Sequence, residues 1–197
     1  MRKLSVFNQV SVDGYFRTLD GDGGWMHEQG ADDDAEYRDF VAGNAAGGGT
    51  LVFGRVTYEM MASFWPTPAA VQQFPAVAKE MNRRPKIVFS RTLKTVTWSN
   101  TKLVKNDPAA EIRRMKSEPG DPMVILGSGT IVSRLAQANL IDEYQLLVVP
   151  VVLGEGRTMF EGSKKRLSLT LTKTRTFRNG RTFLVYQRAR EGDDARR

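Results

Sequence analysis

The chain has no cysteine, and among its 197 residues it has one histidine, His27. The first absence excludes disulfides and thiolate metal sites and is compatible with a reducing cytoplasm. With one histidine, an imidazole zinc site or a Ser-His-Asp triad would have to be built around His27 alone. No apolar run approaches the roughly 20 residues of a membrane-spanning helix. The N-terminal stretch "MRKLSVFNQVSVDG" is broken by Asn8, Gln9 and Asp13, and it is expected to be a strand rather than a signal peptide. Repeats and low-complexity linkers are missing too, so one domain is expected over 1–188, followed by a charged flexible tail, 189–197.

Acidic charge is the scarcer sign: 22 Asp and Glu against 29 Lys and Arg leave a net charge of +7. The densest basic clusters, "NRRPK" (82–86), "IRRMK" (112–116) and "SKKRL" (163–167), are small and lack interleaved aromatics. That pattern argues against a base-stacking nucleic-acid surface. A basic surface equally suits an enzyme whose ligands carry phosphates.

What is present is alternation. Strands are expected at 4–12, 50–54, 86–90, 95–98, 101–104 and 122–126, and helices at 34–43, 57–65, 108–118 and 130–140. A long strand is expected over 142–154, with Pro150 marking a bulge or an edge. The segments 167–177 and 181–189 alternate at period two, and Asn179-Gly180 between them predicts a type I′ hairpin. The fold class is therefore α/β: a mixed, mostly parallel sheet flanked by helices, with a C-terminal antiparallel hairpin.

Three strand ends carry Gly, Ser, Thr or Arg at the start of the next element. "VILGSGTIV" (124–132) places Gly127, Ser128, Gly129 and Thr130 between a strand and a helix. Bare amides at a helix N-terminus suit a phosphate; a tight turn capped by Ser128 or Thr130 explains the same residues. It is not a full G-x-G-x-x-G, because Val132 replaces the third glycine, and Asp142 or Glu143 only loosely match the acid expected downstream. "FGRVTYE" (53–59) offers Gly54, Arg55 and Thr57, and "FSRTL" (89–93) offers Ser90 and Arg91. In open α/β sheets ligands bind beyond the carboxyl ends of the strands, so the three ends together read as the lining of one nucleotide pocket.

Asp13, beside Gly14, is a candidate to orient a substrate or relay a proton, or else part of an Asp-Gly turn. "DGDGGWMHE" (20–28) begins like a calcium loop, but Gly24, Trp25 and Ala31 occupy the wrong positions. It is read as a glycine-rich lid with Trp25 and Met26 as an apolar cap and His27 on the surface. The run "DDDAE" (32–36) is read as a solvated helix start, with Glu36 a pocket acid if that helix lines the cleft.

Taken in order, "SVDG", "GRVTYE", "FSRT", "ILGSGT" and "LIDEYQLLVVPVVLGEG" resemble the dihydrofolate-reductase-like superfamily. Within it the chain looks like the C-terminal reductase domain of riboflavin biosynthesis (RibD C-terminal type) and its stand-alone relatives, from about Lys3 to Arg188. The resemblance implies NADPH bound across the carboxyl edge and hydride transfer to a polarised C=N or C=O of a pteridine or ribosylaminopyrimidine phosphate. It implies that Gly54, Arg55 and Thr57 hold the pyrophosphate from one side, and Gly127, Ser128, Gly129 and Thr130 from the other. Ser90 and Arg91 would meet the 2′-phosphate. Backbone around Gln9 and Val10 would face the carboxamide, with Phe16 beside the nicotinamide ring. Asp13, Trp25 and Glu36 would face substrate, Asp13 as the catalytic acid. A cytoplasmic homodimer is the expected form, and a non-catalytic nucleotide-binding module of the same fold is the alternative. The chain departs from the riboflavin reductases at Phe7, where they usually carry a lysine.

Overall fold

In the computed structural model, which describes residues 1–27, 34–164 and 166–189, short aliphatic runs become the strands of one eight-stranded sheet. Six of them, β1 (Leu4–Ser11), β3 (Thr50–Gly54), β4 (Lys86–Phe89), β5 (Thr101–Val104), β6 (Met123–Leu126) and β7 (Glu143–Val149), pair in parallel. The hairpin β9 (Leu169–Thr176) and β10 (Thr182–Arg188) joins antiparallel beside β7, giving the order β5-β4-β3-β6-β1-β7-β10-β9. The sheet is thus mixed and mostly parallel with an antiparallel end. Two short strands, β2 (Tyr15–Arg17) and β8 (Arg157–Thr158), pair separately above it.

The parity of each strand decides which helices it meets. On one face Leu51, Phe53 and Val88 pack with Tyr58 of α2 (Arg55–Phe64) and Met81 of α4 (Pro75–Arg83). Further along the same face, Leu147, Phe183 and Val185 meet Tyr37 and Phe40 of α1 (Ala35–Ala46). On the opposite face Val6, Val52, Ile87 and Ile125 pack under Ile112 of α5 (Pro108–Ser117) and Ile131 and Leu135 of α6 (Gly129–Gln137). Connections toward β4 thus cross one face and those returning toward β7 cross the other, as right-handed crossovers require. β1 leaves for α1 on one side while its neighbour β6 leaves for α6 on the other. A crevice therefore opens between their carboxyl ends.

Some expected elements change. Residues 95–98 form no strand; the Tyr58 hydroxyl accepts the amides of Thr97 and Trp98 instead, and Trp98 is buried under α2. The strand expected over 142–154 stops at Val149, before Pro150. The second helix starts directly on Arg55, with Gly54 as its N-cap, rather than at Thr57. The hairpin is not type I′: Asn179 lacks a positive φ and only Gly180 adopts one, at 81°. Phe177 N–H donates to Arg181 O and Gly180 N–H to Phe177 O, which makes a three-residue loop closed by a left-handed glycine. Two short helices were missed, α3 (Pro68–Gln73) and α4, both opened by a proline at the first turn. Of the expected tail, residues 190–197 lie outside the described residues.

The basic clusters are partly internal. Lys86 is 1% exposed, its ammonium donating to Asn82 O at 3.1 Å and Arg84 O at 2.6 Å and lying over the Trp98 ring. Lys116 is also buried, bonded to Leu140 O and paired with Asp142. Burial, and then the Arg84 guanidinium, push the Lys86 ammonium down from 10.5 to about 8. Between those two values the unfolded chain binds the proton and the folded chain does not, so this group makes stability rise with pH across the window. Urea unfolding of the wild type and Lys86→Met should show the wild type gaining about 1–2 kcal/mol on the variant between pH 8 and 9.5. A difference that stays constant with pH would overturn the assignment.

Candidate functional site

The carboxyl ends of β1, β3 and β6 are bound into one network around Gly127 and Ser128. Both residues are left-handed, with φ of 59° and 60°. For serine that backbone costs roughly 1–2 kcal/mol, so it persists only where its surroundings hold it. Here they do. The Ser128 amide donates to Thr57 Oγ1 at 3.0 Å, its hydroxyl to the same oxygen at 2.9 Å, and Gly54 N–H donates to Ser128 Oγ at 2.7 Å. From the other side, buried Asn8 grips Gly127: its Oδ1 accepts the Gly127 amide at 2.8 Å, and its Nδ2 donates to Met159 Sδ at 2.7 Å.

The glycines are therefore approached first by the protein itself. A Cβ on Gly127 would lie 2.9 Å from Thr57 Cγ2, and one on Gly129 would lie 2.9 Å from the Phe16 ring. The Gly127 and Ser128 amides, both expected to meet phosphate, are consumed internally. So is Thr57, which neither caps α2 nor faces the crevice. What stays open at the start of α6 are the amides of Gly129 and Thr130, which have no acceptor among the described residues. Thr130 itself is exposed. They are joined by two exposed guanidinium groups beyond neighbouring strands. Arg55 starts α2 and pairs with Glu59 at 2.8 Å, and Arg91 follows β4. Ser90 turns its hydroxyl into its own loop, accepting the amides of Thr92 and Leu93. Val10, the last apolar residue of β1, is buried on the α6 face.

Asp13 does a different job from the one expected. Its Oδ2 accepts Gly154 N–H at 2.7 Å and its Oδ1 accepts Leu153 N–H and, at 2.6 Å, the Ser11 hydroxyl. The Ser11 hydrogen bond, aided by those amides against some desolvation, holds its carboxyl below the usual carboxylate range. Through these bonds it fixes the loop after Pro150. Glu36 is taken up in an exposed ion pair with Arg175 at 2.7 Å. Trp25 is 4% exposed in a short 3-10 turn, Gly24–Met26. The loop before it is tied by Asp20 accepting Asp22 N–H and Asp22 accepting Gly24 N–H. His27 is exposed. Asp142 and Glu143 pair with Lys116 and Lys3 at the amino ends of the strands, far from any ribose at the carboxyl edge. Ala31, Asp32 and Asp33 lie outside the described residues.

Sequence reasoning missed Asn8 as a functional residue. The available signal was a polar side chain at an inward position of an otherwise apolar strand face, Leu4, Val6, Asn8, Val10. A groove of about 550 Å³ between α1 and β7, β9 and β10 lies apart from the crevice. Two of its charged walls, Glu143 and Arg175, are already paired.

The model of the RibD C-terminal domain matches residues 2–183 of this chain. YyaP of Bacillus subtilis (strain 168), itself uncharacterized, is 28% identical over 186 residues, spanning 94% of each chain. A Shewanella sp. PV-4 structure described as a riboflavin biosynthesis protein superposes with a TM-score of 0.73 at 24% identity, over 95% of this chain and 99% of the other. A Thermotoga maritima protein, described as a diaminohydroxyphosphoribosylaminopyrimidine deaminase/5-amino-6-(5-phosphoribosylamino)uracil reductase, superposes at 0.66 with 12% identity; this chain covers 57% of its length.

Proposed function

Because the chain belongs to the RibD C-terminal domain family, we propose that it is an NADPH-dependent reductase acting on a C=N or C=O of a small heterocycle of the pteridine or ribosylaminopyrimidine type. The observation that carries this is the donor set left open at the crevice. It consists of the Gly129 and Thr130 amides at the α6 N-terminus, flanked by Arg55 and Arg91 at the ends of β3 and β4. Such donors suit a pyrophosphate and a further phosphate, the groups that distinguish NADPH among small ligands. Bound there, NADPH supplies the hydride. The protein's part is to hold and orient. Asn8 and Thr57 fix the 127–129 turn, Phe16 on Gly129 gives a flat apolar wall, and Arg91 selects the extra phosphate. Asp13 keeps the 153–154 loop in place as a positioning residue. A homodimer in the cytoplasm is the form in which we expect it to work.

Nicotinamide fluorescence titration tests the cofactor half. Wild type should prefer NADPH to NADH, and Arg91→Ala should weaken NADPH by about tenfold while leaving NADH nearly unchanged. Binding of neither nucleotide overturns the reading. The engagement of both Asp13 oxygens by Ser11 and the 153–154 amides favours one alternative, a nucleotide-binding module without catalysis. Failure of bound NADPH to be oxidised across a panel of pteridines and pyrimidines would select it.

A further inference from the structure

The groove beside α1 keeps one charge of each sign unclaimed. Asp39, Phe40 and Gly43 of α1 line one side of it, Lys173 and Arg175 of β9 line the other, and Val185 of β10 lies in its floor. Helix and strand meet there as a ladder of opposite charges. Asp39 follows Glu36 by three residues, so the two are neighbours on the helix surface. Lys173 and Arg175 are two apart on β9, opposite Val185 and Phe183, and share the α1 face. The first rung is closed: Arg175 pairs with Glu36 at 2.7 Å, and its guanidinium lies over the Phe177 ring at 4.9 Å. The second rung is open. Asp39 and Lys173 are exposed, and neither has an ion pair among the described residues.

Two features make room at the open rung. Gly43, four residues beyond Asp39 on the same helix, has no side chain, and a Cβ there would meet nothing within 4 Å. On β9 the register slips just before Lys173: Thr172 is the extra residue of a bulge, and its hydroxyl donates to Val185 O at 3.1 Å. The space between is about 550 Å³, the size of a small-molecule site. Half-buried Phe40 gives it an apolar surface. A ligand that closes the rung needs an anion for Lys173, a cation for Asp39 and an apolar body for Phe40. A phosphate or a nucleotide serves Lys173 and is repelled by Asp39, and a neutral apolar molecule uses neither charge. A zwitterionic head on a hydrocarbon body uses all three.

We propose that this groove binds a free α-amino acid with a bulky apolar side chain. The carboxylate meets Lys173, the ammonium meets Asp39, and the side chain lies over Phe40 in the space beside Gly43. The site stands apart from the crevice and does not depend on the reductase reading. L-phenylalanine is the probe, titrated by calorimetry and by ligand-observed NMR at low ionic strength, because salt screens exposed charges. Its one-charge analogues, 3-phenylpropionate and phenethylamine, are titrated beside it. The proteins are wild type, Lys173→Met, Asp39→Asn and Gly43→Leu, with NADPH affinity and thermal midpoints measured in parallel.

Wild type should bind L-phenylalanine about threefold to fivefold more tightly than either analogue, the factor an exposed ion pair supplies. Lys173→Met should weaken L-phenylalanine by the same factor and leave phenethylamine unchanged. Asp39→Asn should weaken it likewise and leave 3-phenylpropionate unchanged. Gly43→Leu fills the groove and should cost roughly tenfold or more. It should melt no lower than wild type, since leucine is the better helix former and meets no neighbour. NADPH affinity should be the same in all four proteins. Absence of L-phenylalanine binding to wild type overturns the proposal and leaves Asp39 and Lys173 as solvated charges. An analogue that binds as tightly as L-phenylalanine overturns it, as does binding that survives Gly43→Leu. Displacement of L-phenylalanine by NADPH also overturns it, moving the amino acid to the crevice.

Discussion

Asn8→Leu should lower stability by about 2–4 kcal/mol and weaken NADPH binding by roughly tenfold or more. Asn8 is 5% exposed, and leucine fits its volume on the apolar face it shares with Val6 and Val10. The shape is nearly conserved, but the chemistry is not. The substitution leaves the Gly127 amide, now held at 2.8 Å by Asn8 Oδ1, without an acceptor. An orphaned donor costs roughly 1–3 kcal/mol, and relief requires the 126–128 turn to rotate toward water. That rotation moves the Gly129 and Thr130 amides, the donors that remain for a ligand. Stability is read from urea unfolding and affinity from nicotinamide fluorescence at a temperature where the variant is folded. If the folded variant binds NADPH like wild type, Asn8 serves the fold alone and the turn orients nothing.

The contrast between Asn8 and its neighbours shows what a sequence discloses here. The parallel strands were legible as short apolar runs, and "TLVFG", "TKLV" and "PMVIL" fold within a residue of where their patterns place them. Three strand ends were legible as a group because Gly54, Ser90 and Gly127 stand at the ends of β3, β4 and β6. Which atoms at those ends stay open was not legible, because that depends on contacts across 71 and 119 residues of chain, Thr57 to Ser128 and Asn8 to Gly127. Thr57 and Ser128 looked like phosphate donors, and they satisfy each other. Asp13 looked like a free acid, and backbone 140 residues away claims it. The helices α3 and α4 went unread because "TPAAVQQFPAVAKEMNR" has a proline at each start, which divides it into two short pieces, so punctuation masked the period. Residues 95–98 looked like a strand because Val96 and Trp98 alternate with threonines. They face a helix through the Tyr58 hydroxyl, and no strand partner remains for them.

Gly127→Ala should destabilise the fold by about 2–4 kcal/mol, more than an exposed glycine substitution would cost. Two terms add. A left-handed backbone, φ of 59° here, costs an L residue roughly 1–2 kcal/mol. The new methyl would also sit 2.9 Å from Thr57 Cγ2 and 3.0 Å from its Oγ1, in a side chain fixed by Ser128. The terms separate by chemistry. Asparagine tolerates the left-handed region better than alanine, so Gly127→Asn relieves strain and keeps the clash. Thr57→Ser deletes Cγ2 and keeps the hydroxyl that accepts from Ser128, relieving the clash and keeping the strain. In a double-mutant cycle, Gly127→Ala with Thr57→Ser should recover about 1 kcal/mol relative to the sum of the single changes. Additive losses would mean that Thr57 is not what Gly127 makes room for. A favourable coupling would mean that the first glycine of "GSGT" is demanded by a threonine on α2. Any phosphate bound there would then meet a turn whose shape the protein had already fixed for its own packing.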